Sequence, residues 1–162
     1  MMSVKDALAY LAIWSLIGAV LFSLFVVFVF RSGVVYASRK KDGTLKEEMP
    51  LRGYVAMFST LLAIVGFLIT ANYLGLARKH VSVGFGTLFV LNLTLYLILF
   101  VFDTVFIDGF VLGYWRPEFL HLSEDMGRES MKEHITRSIP VGILFGLVLA
   151  GLSTAISYFM VG

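Results

Sequence analysis

Four stretches of apolar residues, at roughly 7–30, 53–76, 83–115 and 139–161, leave this chain few folds to choose from. Each reaches the ~20 residues a helix needs to cross a hydrocarbon layer of about 30 Å. Where no water can pair with the backbone, N–H and C=O groups must satisfy one another within the segment. Helices do that, and the alternating pattern of barrel strands is missing. The expectation is an all-α, polytopic membrane protein: a single transmembrane domain over 1–162, folded as a four-helix bundle. The first run, Ala7 to Phe30, is too long for a signal-peptide core and reads as a span.

Composition narrows the function classes. Of 162 residues, 59% are hydrophobic and 15% charged, and the mean hydropathy is +0.89. A net charge of +2 argues against a nucleic-acid partner. The chain has no cysteine. Disulfides, thiolate metal sites, iron–sulfur clusters, covalent haem c and cysteine nucleophiles are therefore excluded.

Sidedness follows from the basic residues. Arg31, Arg39, Lys40, Lys41, Lys46 and Arg52 lie between spans one and two, and Arg116, Arg128, Lys132 and Arg137 between three and four. Lys5, Arg78 and Lys79 lie at the opposite ends. The positive-inside bias predicts both long loops in the cytoplasm and both termini outside. Tyr10, Trp14, Tyr73 and Tyr158 are then expected at the outer interface, and Tyr54, Tyr114 and Trp115 at the inner one. The short link "ARKHVS" makes spans two and three an antiparallel hairpin. The long loop "RSGVVYASRKKDGTLKEEMPLRG" turns at Asp42-Gly43 and Pro50 and faces lipid headgroups or a docking partner.

Small residues mark packing faces. Gly142, Gly146 and Ala150 recur every four residues in the fourth span. Ser59, Ala63, Gly66, Thr70 and Tyr73 line one face of the second, and Ala12, Ser15, Ala19 and Ser23 one of the first. Such stripes let helices approach closely, within the chain or between copies. Pro140 fits the first turn of a helix capped by Ser138. Alternatively that helix starts earlier, at "SMKE", and kinks at Pro140.

Chemistry, if there is any, belongs to "FDTVFIDGFVLGYWRPEFLHL", residues 102–122. A straight helix over 83–115 would measure roughly 50 Å, so it must tilt, bend near Gly109 and Gly113, or begin after Gly84 and Gly86. The depth of Asp103 stays open between the inner boundary and the membrane midplane. At α-helical pitch, Asn92, Tyr96 and Asp103 form one polar stripe, whereas Asp108 is rotated about 140° from Asp103. On that pitch the two carboxylates cannot share a narrow face, but they could still border one cavity if the helix unwinds near Gly109. A charged Asp at depth costs about 2.5–3.5 kcal/mol on insertion scales and needs a partner or a watery cavity. Two readings result. Asp103 bonds neighbouring helices while Asp108 pairs with Arg116 or Arg137; or Asp103, Asp108 and His134, with His121 or Glu118, line an inward-facing pocket for protons or a divalent metal. H-E-x-x-H, paired E-x-x-H and Gly-rich phosphate motifs are missing.

"FDTVFID", "RPEF" and a His just before the last span resemble a loosely defined group of uncharacterised bacterial four-span integral membrane proteins. The matching positions are Asp103, Asp108, Pro117, Phe119 and His134, within residues 100–145. The resemblance implies a bacterial or archaeal cell membrane and carries no activity with it. The function expected is that of a small non-enzymatic membrane protein, an accessory or assembly subunit beside other membrane subunits or copies of itself. The alternative is a carboxylate–histidine site at the cytoplasmic end of spans three and four, for proton or ion translocation or divalent-metal binding.

Overall fold

A computed structural model describes residues 2–33, 50–122 and 128–161, with side chains other than those of Lys79, residues 128–131, Glu133, His134 and Val161. The cluster Arg39, Lys40, Lys41 and Lys46 and the turn at Asp42-Gly43 lie outside these residues.

The described chain is helical. Helix α1 is Val4–Arg31, α2 is Leu51–Gly75, α3 is Phe85–Val101 and continues as a π-helix through Phe102–Trp115, and α4 is Arg128–Val161. Four helices are long and apolar enough to cross a membrane, with spans of 28, 25, 31 and 26 residues. Their ends obey local chemistry. At the start of α1 the Ser3 hydroxyl accepts from the Asp6 N–H at 3.1 Å, and the Asp6 carboxylate accepts from the Ser3 N–H at 3.3 Å. That reciprocal cap satisfies donors the first turn would leave unpaired. Between α2 and α3, the turn Ala77–Lys79 ends on His80 in the left-handed region, φ 55°.

Helix α4 settles the Pro140 alternatives in favour of the earlier start, because the helix runs from Arg128 with Pro140 inside it. Proline removes one ladder donor. Nearby hydroxyls bond back to the chain: Thr136 donates to the Lys132 carbonyl at 3.0 Å and Ser138 to the Ile135 carbonyl at 2.9 Å. These are the back-bonds to the preceding turn that Ser and Thr commonly make in helices, and neither reaches the Thr136 carbonyl, the one the proline deprives of its donor.

The second half of the third span departs from α geometry. Its last turn closes with the Arg116 N–H on the Val111 carbonyl, five residues back, at 2.8 Å. Rise per residue falls from 2.0 Å in a 3₁₀-helix to 1.5 Å in an α-helix as the hydrogen-bonded ring enlarges, and a π-helix continues that trend. A 14-residue π segment therefore shortens a span that α geometry would make too long. One side of the segment carries an aromatic ladder, Phe102, Phe106, Phe110 and Tyr114, with ring centroids 5.2, 5.7 and 6.0 Å apart.

Contacts divide the chain into two units. Unit 1 takes Met1–Ala19, Leu61–Phe100 and Gly142–Gly162, and unit 2 takes Val20–Thr60 and Val101–Val141. In unit 1, Tyr10, Leu68, Ala71, Leu88, Leu91 and Leu95 form a buried cluster, and Val65, Tyr96 and Leu149 form another. In unit 2, Phe30 of α1 packs with Ile107, Val111 and Leu112 of the π-helix and with Leu120.

Close approach in unit 1 depends on glycine. A Cβ on Gly142 would collide with the Phe100 ring, and one on Gly146 with the Tyr96 ring. Tyr96 and Phe100 lie nearly parallel, 6.1 Å apart, so α3 presents two flat rings to the two bare positions of α4. Ala150, one turn further along, is fully buried. Helix α2 behaves differently. Ser59, Ala63, Gly66 and Thr70 are exposed, and no atom lies within 4 Å of a Cβ placed on Gly66. Among the described residues that stripe is not used for packing inside the chain.

Candidate functional site

The polar groups of unit 1 converge at its centre. The Tyr10 hydroxyl on α1 donates to Asn72 Oδ1 on α2 at 2.8 Å. Asn72 Nδ2 donates to Asn92 Oδ1 on α3 at 3.0 Å and to Ser157 Oγ on α4 at 2.9 Å. Asn92 Nδ2 in turn donates to Thr154 Oγ1 on α4 at 2.9 Å. One amide–hydroxyl chain thus ties four helices. Asn72, Asn92, Thr154 and Ser157 are fully buried and Tyr10 nearly so.

Local sequence explains the convergence. Ser153 and Ser157 stand four apart on α4 with Thr154 beside them, which brings three hydroxyls to its inner side. All three are fully buried, and the Ser153 hydroxyl, alone of the three, has no hydrogen-bond partner among the described residues. Tyr10, expected at the outer interface, turns its ring and hydroxyl inward. Gly75 is the reason: a Cβ there would lie 2.8 Å from the Tyr10 ring and 2.6 Å from Trp14 Nε1, so both aromatics lean into the gap that glycine leaves. Tyr73 and Tyr158 remain exposed.

Of the stripe Asn92, Tyr96 and Asp103, the first two lie in unit 1 and Asp103 in unit 2. Asn92 belongs to the network. Tyr96 covers Gly146 and donates its hydroxyl to the Gly142 carbonyl at 2.9 Å. A second donor on a carbonyl already in a helix is a common way to tie two apolar helices together.

Asp103 and Asp108 both lie on the π-helix and are half-buried. Both have partners. The π geometry revises their relation. An i→i+5 ladder sets residues five apart one turn above each other, as an i→i+4 ladder does for residues four apart. D-x4-D on this segment therefore shares a face, and the 140° rotation expected for an α-helix does not apply.

The remaining candidates are more scattered. Glu118 is exposed on the short turn Glu118–Leu120, and His121 ends that turn, exposed and left-handed at φ 52°. Histidine tolerates this conformation better than most residues, and its N–H closes on the Glu118 carbonyl at 3.0 Å. His134 lies on α4, and its side chain is outside the description. Among the described residues no three His, Asp or Glu side chains come together as metal ligands.

Comparison with models of known protein families, with curated proteins and with solved structures gives no match. The fold and the two polar constellations carry the functional argument.

Sequence reasoning overlooked Tyr10, Asn72, Thr154 and Ser157. A signal was there for two of the participants. Asn72 and Asn92 are the only carboxamide side chains in the sequence, which has two asparagines and no glutamine. Each sits in an apolar run, where an unpaired amide is expensive. Two such residues in adjacent spans call for one another.

Proposed function

We propose that this protein is a membrane-embedded helical subunit without catalytic activity of its own, an accessory or assembly component beside other membrane subunits or further copies of itself. The amide–hydroxyl chain of unit 1 supports the reading best. It commits the buried carboxamides of α2 and α3, with the hydroxyls around them, to hold the helices in register. The exposed stripe Ser59, Ala63, Gly66 and Thr70 on α2 offers a neighbouring helix the close approach that Gly142 and Gly146 offer inside the chain. In this reading both long loops face the cytoplasm and both termini lie outside.

The test is sizing in mild detergent or native nanodiscs. Wild type should run in an assembly larger than one 18.0 kDa chain, and Gly66→Leu should release the monomer with its helical content intact. A wild-type protein that is monomeric in its native membrane would count against a subunit role.

A second reading draws on one observation, the shared face of Asp103 and Asp108 on a π-helix. Carboxylates within a span are costly and commonly handle ions or protons, and π-helical turns recur at functional sites. Here the pair, with His134, would serve proton or ion translocation or bind a divalent cation. Proteoliposomes separate the readings. A proton or cation flux abolished by Asp103→Asn, or divalent metal that copurifies stoichiometrically and is lost in Asp103→Asn and His134→Ala, would favour the second. Lowered thermal stability with background flux and metal content would favour the first.

A further inference from the structure

The π-helix ends in a strap that neither reading uses. Arg116 takes a left-handed conformation, φ 49°, and Pro117 continues extended into the turn Glu118–Leu120. Leu120 is 1% exposed, held among Phe30, Ile107, Val111 and Leu112, and Pro117 is buried too. With those two side chains pinned inward, Trp115 and Phe119 are turned out, 58% and 46% exposed, edge to face at 6.3 Å. Tyr114 stands beside them, 66% exposed. Trp and Tyr at the end of an apolar span settle at headgroup depth.

Cations stand at the helix ends of the same unit. Arg31 follows Phe30, whose ring packs against the strap's own core, and is exposed in the last turn of α1. Arg52, in the first turn of α2, and Lys132 on α4 are exposed in the same unit. Among the described side chains of this unit Glu118 is the one exposed carboxylate, and α4 adds Glu129 and Glu133 in sequence. The loops beyond also contain acidic residues (Asp42, Glu47, Glu48, Glu124 and Asp125). Any attraction is therefore local to the helix ends and does not follow from net charge.

We infer that the strap at 115–122, with Arg31 and Arg52, is a docking surface for the phosphate of anionic phospholipid headgroups. The inference rests on the chain being embedded in a bilayer. The aromatics fix the depth at which the surface lies, and the cations select among the headgroups found there. A Lys or Arg near an anionic lipid surface favours it by roughly fivefold. The attraction weakens as salt shortens the screening length.

The sequence has two tryptophans, which permits a direct test. In Trp14→Phe protein, Trp115 is the sole indole, and the aromatic contact with Phe67 is conserved. The protein is reconstituted in phosphatidylcholine vesicles with an equal mole fraction of brominated phosphatidylglycerol or brominated phosphatidylcholine, and quenching of Trp115 is compared. Brominated phosphatidylglycerol should quench more strongly. The preference should fall roughly fivefold for each of Arg31→Gln and Arg52→Gln, and high salt should collapse it with no arginine replaced. Equal quenching by the two lipids would overturn the inference, as would a preference that ignores both salt and the arginine changes. Loss of the preference to inorganic phosphate, beyond chloride of the same ionic strength, would overturn it in favour of a soluble anion. Absence of quenching by either lipid would overturn the bilayer reading itself and the inference with it.

Discussion

The Asn72 carboxamide donates to the Asn92 carboxamide at 3.0 Å, and this bond is the centre of a chain that runs from a tyrosine on α1 to hydroxyls on α4. Asn72 uses its oxygen for Tyr10 and its nitrogen for both Asn92 and Ser157. In an apolar interior no water stands in when one member is removed.

Asn72→Ala should therefore destabilise the folded protein by about 2 kcal/mol, counting three bonds at roughly 0.6 kcal/mol each for membrane-buried pairs. Asn92→Ala loses two of the bonds and should cost about 1 kcal/mol. The double variant should cost less than the sum by about 0.6 kcal/mol, the bond the two share. Reversible unfolding in bicelles measures all three. Strict additivity would show that the two amides do not interact.

A contrast between two glycines tests the packing. Gly146→Ala drives a methyl into the Tyr96 ring, displacing the hydroxyl that reaches Gly142, and should cost about 1–3 kcal/mol as overpacked cores do. Tyr96→Phe keeps the ring, loses one bond, and should cost only about 0.6 kcal/mol. Gly66→Ala meets open space. It should be neutral, or stabilising by up to about 1 kcal/mol from helix propensity. Thermal unfolding of the three variants in one detergent ranks them. Equal loss at Gly66 and Gly146 would contradict the outward orientation of the α2 stripe.

The existence of four spans was legible because apolar length is a direct demand of the bilayer, and the helices lie where the runs at 7–30, 53–76 and 83–115 put them, within three residues at each end. For the fourth helix the apolar run begins at 139, and the sequence leaves open a start there or an earlier one at "SMKE". Its beginning at Arg128 is polar, and a count of apolar residues cannot see a helix that continues past the hydrocarbon. The pairing of Gly142 and Gly146 with aromatic rings depends on which helix faces them, and a stripe of small residues does not name its partner. The faces of Asp103 and Asp108 were misjudged for a different reason. Rotation per residue was taken from the α-helix, and nothing in "FDTVFID" announces a wider ladder. The inward direction of Tyr10 is not legible from its amphipathic type, because the space beside Gly75 decides it.

Sidedness has its own test. Arginine and lysine concentrate between spans one and two and between three and four, which predicts a periplasmic or extracellular C-terminus. A phosphatase fused after Gly162 should be active, and a fluorescent protein that matures only in the cytoplasm should stay dark there. The same pair fused within 34–49 should give the reverse. A bright C-terminal fusion would invert the topology and leave the helix packing of each unit as it is.

The π ladder predicts a distance pattern that an α-helix cannot produce. Val105 and Phe110 are five apart on this segment, and both are exposed. The chain contains no cysteine, so nitroxide labels on Val105→Cys and Phe110→Cys report without background. Residues five apart on an i→i+5 ladder sit one turn above each other. Their dipolar broadening should then match that of a four-apart control on α2, Val55→Cys with Ser59→Cys, both exposed positions. On an α-helix the 105/110 labels would splay by about 140° and the broadening would be much weaker than the control. A weak 105/110 signal would return Asp103 and Asp108 to different faces, and the proton- or metal-handling reading would lose the one observation that favours it.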